Sequence, residues 1–395
     1  MTQLDHAHDV LIVGGGLVGS SCAIALAQQG IKVGLLDKRV LKANEFQNIP
    51  LDSRVYTITP SNAEWLKSLG VWERLDPAQI STIDAMEIWS DLDAEARAEP
   101  TLEFSAYGTK LTHLAFVLEE QVLQAALWSA LEDADVEVIT GEGVALEIGE
   151  KNARLLLADG AELRAGLIVA ADGGNSVVRA LADIATRDFP YGQKGVVANF
   201  RTELPHGNIA RQWFTNNGVM AWLPLSGNQI SLVWSTKNAE SLLTMESAEL
   251  AEKVAEAGGG ILGSLSTITP AQSFPLVLRT AESMVRPRMA LVGDAAHQIH
   301  PLAGQGVNLG FRDVITLVET LRRRKTVEDI GHQGVLRRYE RATKTDLLEM
   351  QALTHGLNLL FESDQPVVRS LRNWGMKALN YQSLLKRQLI RQAIR

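Results

Sequence analysis

Hydrophobic spacing changes character twice in the first forty residues. Val10-Leu-Ile-Val13 is an unbroken apolar run, too short for a helix and suited to a strand buried on both faces. Glycines at 14, 15, 16 and 19 interrupt it. SSCAIALAQQ follows, a small-residue stretch that reads as a helix closed by Gly30. Lys32 to Leu36 is a second buried strand, ending at Asp37. Strand, helix and strand in this order predict a βαβ unit with a right-handed crossover.

Further along, Leu118, Val122, Leu123, Ala126 and Leu127 fall at helical spacing and predict a helix from Phe116 to Glu132. Val136–Thr140, Gly143–Ile148 and Ala153–Ala158 read as strands, and Asp159-Gly160 as a hairpin turn. Leu163 to Ala170 is another buried strand, running into Ala171-Asp172-Gly173. From Gly195 to Val233 the pattern is short and β-like, broken by turn signals at Asn216-Asn-Gly218 and Ser226-Gly-Asn228. Residues 81–115 are also extended. Met289 to Val292 reads as one more buried strand, and the chain after Asp313 is mainly helical. The expected fold class is α/β, with a Rossmann-like dinucleotide-binding domain made of residues 1–80, 116–185 and 281–330. An antiparallel β-sheet substrate domain, residues 81–115 and 186–280, interleaves with it. Residues 331–395 form a helical C-terminal region.

Composition narrows the function classes. Of 395 residues, 46% are apolar and 21% charged, which fits a soluble globular protein. One cysteine, Cys22, excludes an internal disulfide and a thiolate metal cluster. The opening MTQLDHAHD has neither a basic nor an apolar signal region, and no run of about 18 apolar residues occurs, so no membrane span is expected. A cytoplasmic compartment fits. The net charge of −8 disfavours nucleic acid, whose phosphates need clustered cations. The charge is uneven, however. From Gln365 to Arg395 there is no acid, while Arg369, Arg372, Lys377, Lys386, Arg387, Arg391 and Arg395 are all basic. Interleaved with Met376, Leu379, Leu384, Leu385, Leu389 and Ile390, these residues suit a helix lying on an anionic membrane surface, docked on a partner, or covering the protein's own core.

Three motifs carry candidate chemistry. In Gly14-x-Gly16-x-x-Gly19, Gly14 permits a tight turn, Gly16 lets backbone N–H groups reach a pyrophosphate, and Gly19 lets helix and strand pack closely. The helix N-terminus favours the anion. Asp37, about 20 residues on, is placed for ribose hydroxyls. The second motif, Ala170-Ala-Asp172-Gly-Gly-Asn-Ser176-Val-Val-Arg179, reads as a strand–helix turn with Asp172 or Ser176 as the N-cap. The third is Gly293-Asp294 at a strand end, followed by Pro301 to Asn308 leading into a helix. There Asp294 can accept from a ligand hydroxyl, and the helix N-terminus favours negative charge. His297-x-x-His300 lacks a third ligand and the spacing of a metal site, so no metal is expected.

The order of these motifs resembles the flavoprotein monooxygenases of the para-hydroxybenzoate hydroxylase fold. Gly293-Asp-Ala-Ala-His297, Pro301-Leu-Ala-Gly-Gln-Gly-Val-Asn-Leu-Gly310 and Arg312-Asp313 look most like the ubiquinone-biosynthesis hydroxylases of that fold. So do Asp52-Ser-Arg54-Val-Tyr-Thr-Ile, Leu118-Glu-Glu-Gln-Val-Leu-Gln-Ala-Ala-Leu127 and Met220-Ala-Trp-Leu-Pro-Leu225. The resemblance implies FAD as cofactor. Gly14, Gly16 and Gly19 would hold its pyrophosphate and Asp37 its adenosine ribose, where the family more often has Glu. Arg54 and Gln121 would contact it from flanking segments, and Asp172 would belong to a motif shared between FAD and nicotinamide. Asp294 would bind the ribityl or ribose hydroxyls. Gly304, Gln305, Gly306, Val307 and Asn308 would line the isoalloxazine.

The implied activity is aromatic-ring hydroxylation of a polyprenylated phenol in ubiquinone biosynthesis. O₂ is the co-substrate, and the route runs through a flavin C4a-hydroperoxide. A single dinucleotide fingerprint leaves NAD(P)H to bind transiently, or a separate redox protein to supply electrons. No catalytic base is assigned; Tyr56, Tyr191, His297 and His300 are polar candidates that also suit structural roles. The implied partners are the polyprenyl phenol, a biosynthetic complex, and the inner-membrane surface through the basic tail. The alternatives are a flavin-dependent reductase or another monooxygenase of this fold acting on a different hydrophobic substrate, or a non-catalytic FAD-bound assembly subunit.

Overall fold

The computed structural model describes residues 7–39, 52–89, 99–107, 111–215, 218–299, 304 and 306–362. The predicted βαβ unit is present as the strand Ala7–Val13, the helix Leu17–Ala27 and the strand Val33–Asp37. The helix is buried from Leu17 to Leu26 apart from Val18, which explains why its sequence shows small residues instead of an amphipathic stripe. Gly30 ends the turn after it with a positive φ of 73°.

An eight-stranded sheet grows from this unit. Its main path runs Val285–Arg286, Met289–Leu291, Glu162–Ala170, Ala7–Val13, Val33–Asp37 and Val136–Thr140. The pairs from Met289–Leu291 to Val136–Thr140 are all parallel. Glu162–Ala170 changes partner along one edge. Its first half pairs antiparallel with Ala153–Leu157, and residues 168–170 pair parallel with Met289–Leu291. This places the ends of three separate strands, at Val13, Ala170 and Leu291, side by side. In open α/β sheets, ligands bind at such carboxyl ends.

The second sheet has nine strands. Its path is His297–Gln298, Gln272–Ala281, Thr186–Thr202, Gln229–Thr236, Gly218–Leu225, Ile209–Thr215, Ala85–Trp89 and Leu102–Ser105. It is not wholly antiparallel as expected, because Ile209–Thr215 runs parallel to Ala85–Trp89. Thr186–Thr202 begins nine residues before the β-like pattern recognised at Gly195. It carries a bulge between Pro190 and Lys194 that breaks its sequence alternation. One face buries Trp89, Trp213, Trp222 and Trp234 beneath the helices Ala239–Leu243 and Ser247–Ala257. Trp89 and Trp213 stack with centroids 4.9 Å apart and planes 8° from parallel.

The helix expected from Phe116 begins only at Glu120. Ala115–Glu119 is instead the middle strand of a three-stranded sheet, between Val55–Ile58 and Ser81–Ile83. Phe116, Val117 and Leu118 satisfy a helical spacing equally well. Antiparallel partners distant in sequence decide the conformation. The turn at Asn216-Asn-Gly218 falls partly outside the described residues.

After the second sheet, the helices Gly306–Arg322 and Gln333–Glu362 pack against each other. Tyr339, fully buried, donates its hydroxyl to the Leu291 carbonyl at 2.7 Å and anchors the last helix to the parallel sheet. The basic segment from Gln365 onward lies outside the described residues.

Candidate cofactor and active site

The glycine loop is fixed by close contacts that no side chain would permit. A Cβ on Gly14, whose φ is +107°, would sit 2.4 Å from the Ala171 carbonyl oxygen, and one on Gly19 would sit 1.8 Å from the Gly14 oxygen. These two glycines are required by the fold. Gly16 differs: its backbone is extended, and a Cβ there would meet nothing within 4 Å. It is the N-cap of Leu17–Ala27, no side chain caps that terminus, and no acid lies in the first turn. The uncapped N–H groups and the open space over Gly16 coincide, as an incoming pyrophosphate requires.

Asp37 accepts from Gly15 N at 2.6 Å through Oδ2 and from Arg39 N at 2.9 Å through Oδ1. It therefore braces the glycine loop as well as standing at the strand end where a ribose is expected. The Gly15 carbonyl accepts from Ser20 Oγ at 2.8 Å, Gln124 Nε2 at 2.7 Å and Trp128 Nε1 at 3.1 Å. Gln124 and Trp128 were not singled out by sequence reasoning. Gln124 lies three residues beyond Gln121 in the same helix, and a polar residue at a core-facing position was the available signal. Gln121 itself is half-buried. Arg54 is exposed, with Nη1 3.5 Å from Glu120 Oε2.

Asp172 and Ser176 divide the capping of the helix Val177–Leu181. Ser176 Oγ accepts from Arg179 N at 2.9 Å, and Asp172 Oδ2 accepts from Val177 N and Val178 N at 2.7 and 3.1 Å. Asp172 Oδ1 is buried with no protein partner. The loop lies against the first glycine, since the Cβ absent from Gly14 would also stand 2.8 Å from Asp172 Cα.

The third motif crosses the same strand ends. Gly293 has φ of +58°, and a Cβ there would press on Val18 at the start of the first helix. Asp294 is accessible to solvent yet crowded by protein on most sides, as a side chain lining a cleft is. That crowding holds its carboxyl above the usual range, against the opposing influences of a 3.2 Å hydrogen bond from Gln298 and the nearby His297. Beneath it, Asp313 Oδ2 accepts from Gly293 N at 2.8 Å and lies 2.7 Å from His297 Nε2. His297 and Asp313 are both almost completely buried. Burial alone would lower the imidazole pKa; the charge and hydrogen bond of Asp313 outweigh it and raise the value above 6.5.

Gly304 has φ of +62°, and a Cβ on it would touch Thr57 Oγ1 at 3.0 Å. A Cβ on Gly306 would meet nothing within 4 Å, and Val307 is nearly buried. Gln305 lies outside the described residues. Asn308, expected to line a ring, does something else with its side chain. It is fully buried, its Oδ1 accepts from Thr59 N at 2.9 Å and Asn62 Nδ2 at 2.8 Å, and its Nδ2 donates to Thr57 O at 2.6 Å. The amide is a clamp between the start of the helix Gly306–Arg322 and the Val55–Ile58 strand, and the Asn308 backbone carbonyl joins it by accepting from Asn62 Nδ2 at 3.2 Å.

Of the candidate bases, His297 is held by Asp313, Tyr191 is buried against Phe189, and His300 lies outside the described residues. Tyr56 is half-buried. Burial, with the charges of Glu120 and Asp294 nearby, raises its pKa, so at neutral pH it is a hydrogen-bond donor and not a base. The second sheet closes over this region. Asn199 donates from Nδ2 to the Asp52 carbonyl at 2.9 Å, which ties the face opposite the tryptophans to the segment bearing Arg54. On that face Ile88, Ala221 and Val233 are apolar and half-buried.

The residues present fit FAD. Three strand ends meet at an uncapped helix N-terminus, open space lies over Gly16 and Gly306, and two acids, Asp37 and Asp294, stand at either end. Comparison with known proteins agrees. The FAD binding domain family model matches residues 7–345. The 3-demethoxyubiquinol 3-hydroxylase of Escherichia coli is 36% identical over 98% of both chains. The human mitochondrial ubiquinone biosynthesis monooxygenase COQ6 is 30% identical over 98% of this chain and 92% of its own. Among solved structures, the p-nitrophenol 4-monooxygenase PnpA of Pseudomonas putida superposes with a TM-score of 0.78 over 98% of this chain and 97% of its own, at 17% identity. Klebsiella pneumoniae HpxO, complexed with FAD and uric acid, superposes at 0.75 over 99% and 98%, at 16% identity, and so shares the fold. The chain belongs to the FAD binding domain family, among the flavoprotein monooxygenases that include the ubiquinone-biosynthesis hydroxylases.

Proposed function

We propose that this protein is an FAD-dependent monooxygenase that hydroxylates the aromatic ring of a polyprenylated phenol in ubiquinone biosynthesis. The observation that carries the reading is a dinucleotide site whose Arg54 segment is tied, through Asn199, to the face of the second sheet that bears the half-buried apolar residues Ile88, Ala221 and Val233. Such a patch suits a greasy substrate, whose burial beside the cofactor excludes water. The reading is supported by the match to the E. coli and human relatives along nearly the whole chain.

In this reading Gly14, Gly16 and Gly19 shape the pyrophosphate loop, Asp37 and Asp294 hold sugar hydroxyls, and Arg54, Gln121 and Asp172 contact the cofactor from its flanks. Gly304 to Val307 approach the ring, and the buried Asn308 clamp holds them in place. Bound FAD supplies the activation of O₂ that side chains cannot. The protein's own part is to orient the phenol, keep water out, and donate a hydrogen bond from the Tyr56 hydroxyl into the cleft. The balanced reaction replaces a ring C–H with C–OH, using O₂, two electrons and two protons, and releases water. NAD(P)H or a redox protein supplies the electrons. Residues 1–80, 116–185 and 281–330 serve as the cofactor domain, 81–115 and 186–280 as the substrate domain. No described helix is long and apolar enough to cross a membrane. The basic segment after Gln365 is assigned to peripheral contact with the inner membrane or with a biosynthetic complex.

The test is turnover of a short-chain prenyl phenol under ¹⁸O₂ with an electron donor. The expected product carries one labelled oxygen on the ring. Donor consumption with a reduced prenyl chain and no label would replace the hydroxylase with a reductase. A protein that holds FAD without turnover in the assembled pathway would leave the assembly-subunit reading.

A further inference from the structure

The strand Gln272–Ala281 reaches both acid-bearing loops of the cofactor site through one arginine. Arg279 lies directly opposite Asp188 in the second sheet. Its Nε is 3.0 Å from each carboxylate oxygen and its Nη2 2.7 Å from Oδ2, a planar fork on a carboxylate. Its remaining terminal nitrogen leaves the sheet. Nη1 donates to the Gly174 carbonyl at 2.6 Å and to Asn175 Oδ1 at 3.2 Å, in the loop that follows Asp172.

On its other side Arg279 pairs across the ladder with Gln298. Gln298 donates to Asp294 Oδ2 at 3.2 Å, and its amide lies on Gly174 so closely that a Cβ at 174 would be 2.4 Å away. Arg179 closes the circuit by donating to Gly174 O and to Ala295 O, both at 2.8 Å. A lone hydrogen bond of 3.2 Å at an accessible carboxylate holds little by itself. Here the donor amide is pressed onto a backbone carbonyl segment that two guanidinium groups fix, so its direction is set in advance.

We infer that Arg279 is a positioning residue for the cofactor's sugar chain: it fixes Gly174 against the substrate-side sheet, and through Gln298 it sets where the Asp294 carboxylate stands. The inference rests on the FAD reading above. It makes the placement of a cofactor ligand in one sheet depend on a side chain of the other. Lysine cannot take over the role, because the position needs two directions of donation from one rigid plane.

The test measures FAD release from the loaded protein on dilution, followed by flavin fluorescence, for the parent, Arg279→Met, Arg279→Lys, Gln298→Met and the Met/Met double variant, each checked for folding by far-UV melting. Each single variant is expected to weaken FAD about tenfold, and the double variant no more than about twofold beyond the worse single, because both residues lie on one path. Lysine at 279 is expected to behave like methionine. Singles within twofold of the parent, multiplicative losses, or rescue by lysine would each overturn the relay. If Arg279→Met does not fold, Arg279→Lys and Gln298→Met carry the same comparison. A parent that holds no FAD overturns the cofactor reading and the relay with it; a parent that holds FAD beside unmoved variants overturns the relay alone.

Discussion

Gly16→Ala and Gly19→Ala lie three positions apart, at the N-cap and in the first turn of one helix, and should fail in opposite ways. The Gly16 backbone is extended, with φ of −70° and ψ of −176°, which any residue adopts, and its new methyl would meet nothing within 4 Å. Replacing glycine by alanine at an N-cap costs a few tenths to about 1 kcal/mol, so the FAD-free protein should melt within about 2 °C of the parent. The methyl would, however, stand where the pyrophosphate must approach bare backbone. Loss of even one N–H contact to a charged oxygen, about 1.5–3 kcal/mol, weakens FAD roughly tenfold or more. Gly19→Ala would bring its methyl to 1.8 Å from the Gly14 oxygen, far inside contact distance. Overpacking of that kind costs about 1–3 kcal/mol or more and should lower the melting temperature with or without cofactor. Thermal melts of FAD-stripped protein and titration with FAD separate the two. If Gly16→Ala bound FAD as the parent does, the space over Gly16 would not be the pyrophosphate site, and the cofactor geometry argued above would be wrong.

Asn308→Ala should destabilise the protein by about 2–4 kcal/mol, measured by denaturant unfolding, because it takes the side-chain partner from buried Thr59 N and Thr57 O and leaves the Asn62 amide only its bond to the Asn308 carbonyl. An unfolding free energy within 0.5 kcal/mol of the parent, roughly the scatter of surface substitutions, would remove the clamp. His297 has a folded pKa raised above its ordinary 6.5, so the stability it adds is fully present below pH 6.5 and is lost as the pH climbs through the raised value. The melting-temperature gap between the parent and His297→Gln should therefore be widest in mild acid and narrow toward alkaline pH; a gap that widens with pH contradicts the buried pair with Asp313. Asp294 is raised as well. Its charged form costs stability, a cost absent in strong acid that develops as pH rises from 3.8 through the folded value. Asp294→Asn should thus leave the FAD-free protein as stable or slightly more stable at pH 7 while FAD binding weakens, a trade common at ligand sites. Loss of stability without loss of affinity would make Asp294 structural.

Much of the cofactor site was legible in the sequence because its constraints are local. Gly14 is marked by the positive φ its turn requires and Gly19 by a backbone contact with Gly14 in the same βαβ unit, while Asp37 ends one buried strand and Asp294 lies just past another. Local periodicity likewise located the first helix, the hairpin at Asp159-Gly160, and the helices after Asp313. It could not distinguish Ala115–Glu119 from the helix that follows, since Phe116, Val117 and Leu118 suit either period and the deciding strands lie about 35 and 60 residues away. Nor could it reveal that Ile209–Thr215 runs parallel to Ala85–Trp89, a pairing set by how the second sheet closes on itself.

Side-chain duties across the molecule were decided by tertiary structure alone. Asn308 reads as part of a ligand-binding run, yet its amide finds three partners some 250 residues away and is completely enclosed by them. Gln124 and Trp128 look like ordinary helix positions until the Gly15 carbonyl is brought against them. Arg279, in a strand with no motif, becomes notable only when Asp188, Gly174 and Gln298 converge on it. The sequence determined which segments turn tightly, bury and bear acids, because those properties depend on backbone sterics and on the nature of each side chain. Which polar groups meet depends on distances between elements far apart in the chain, and those exist only once the sheets have packed.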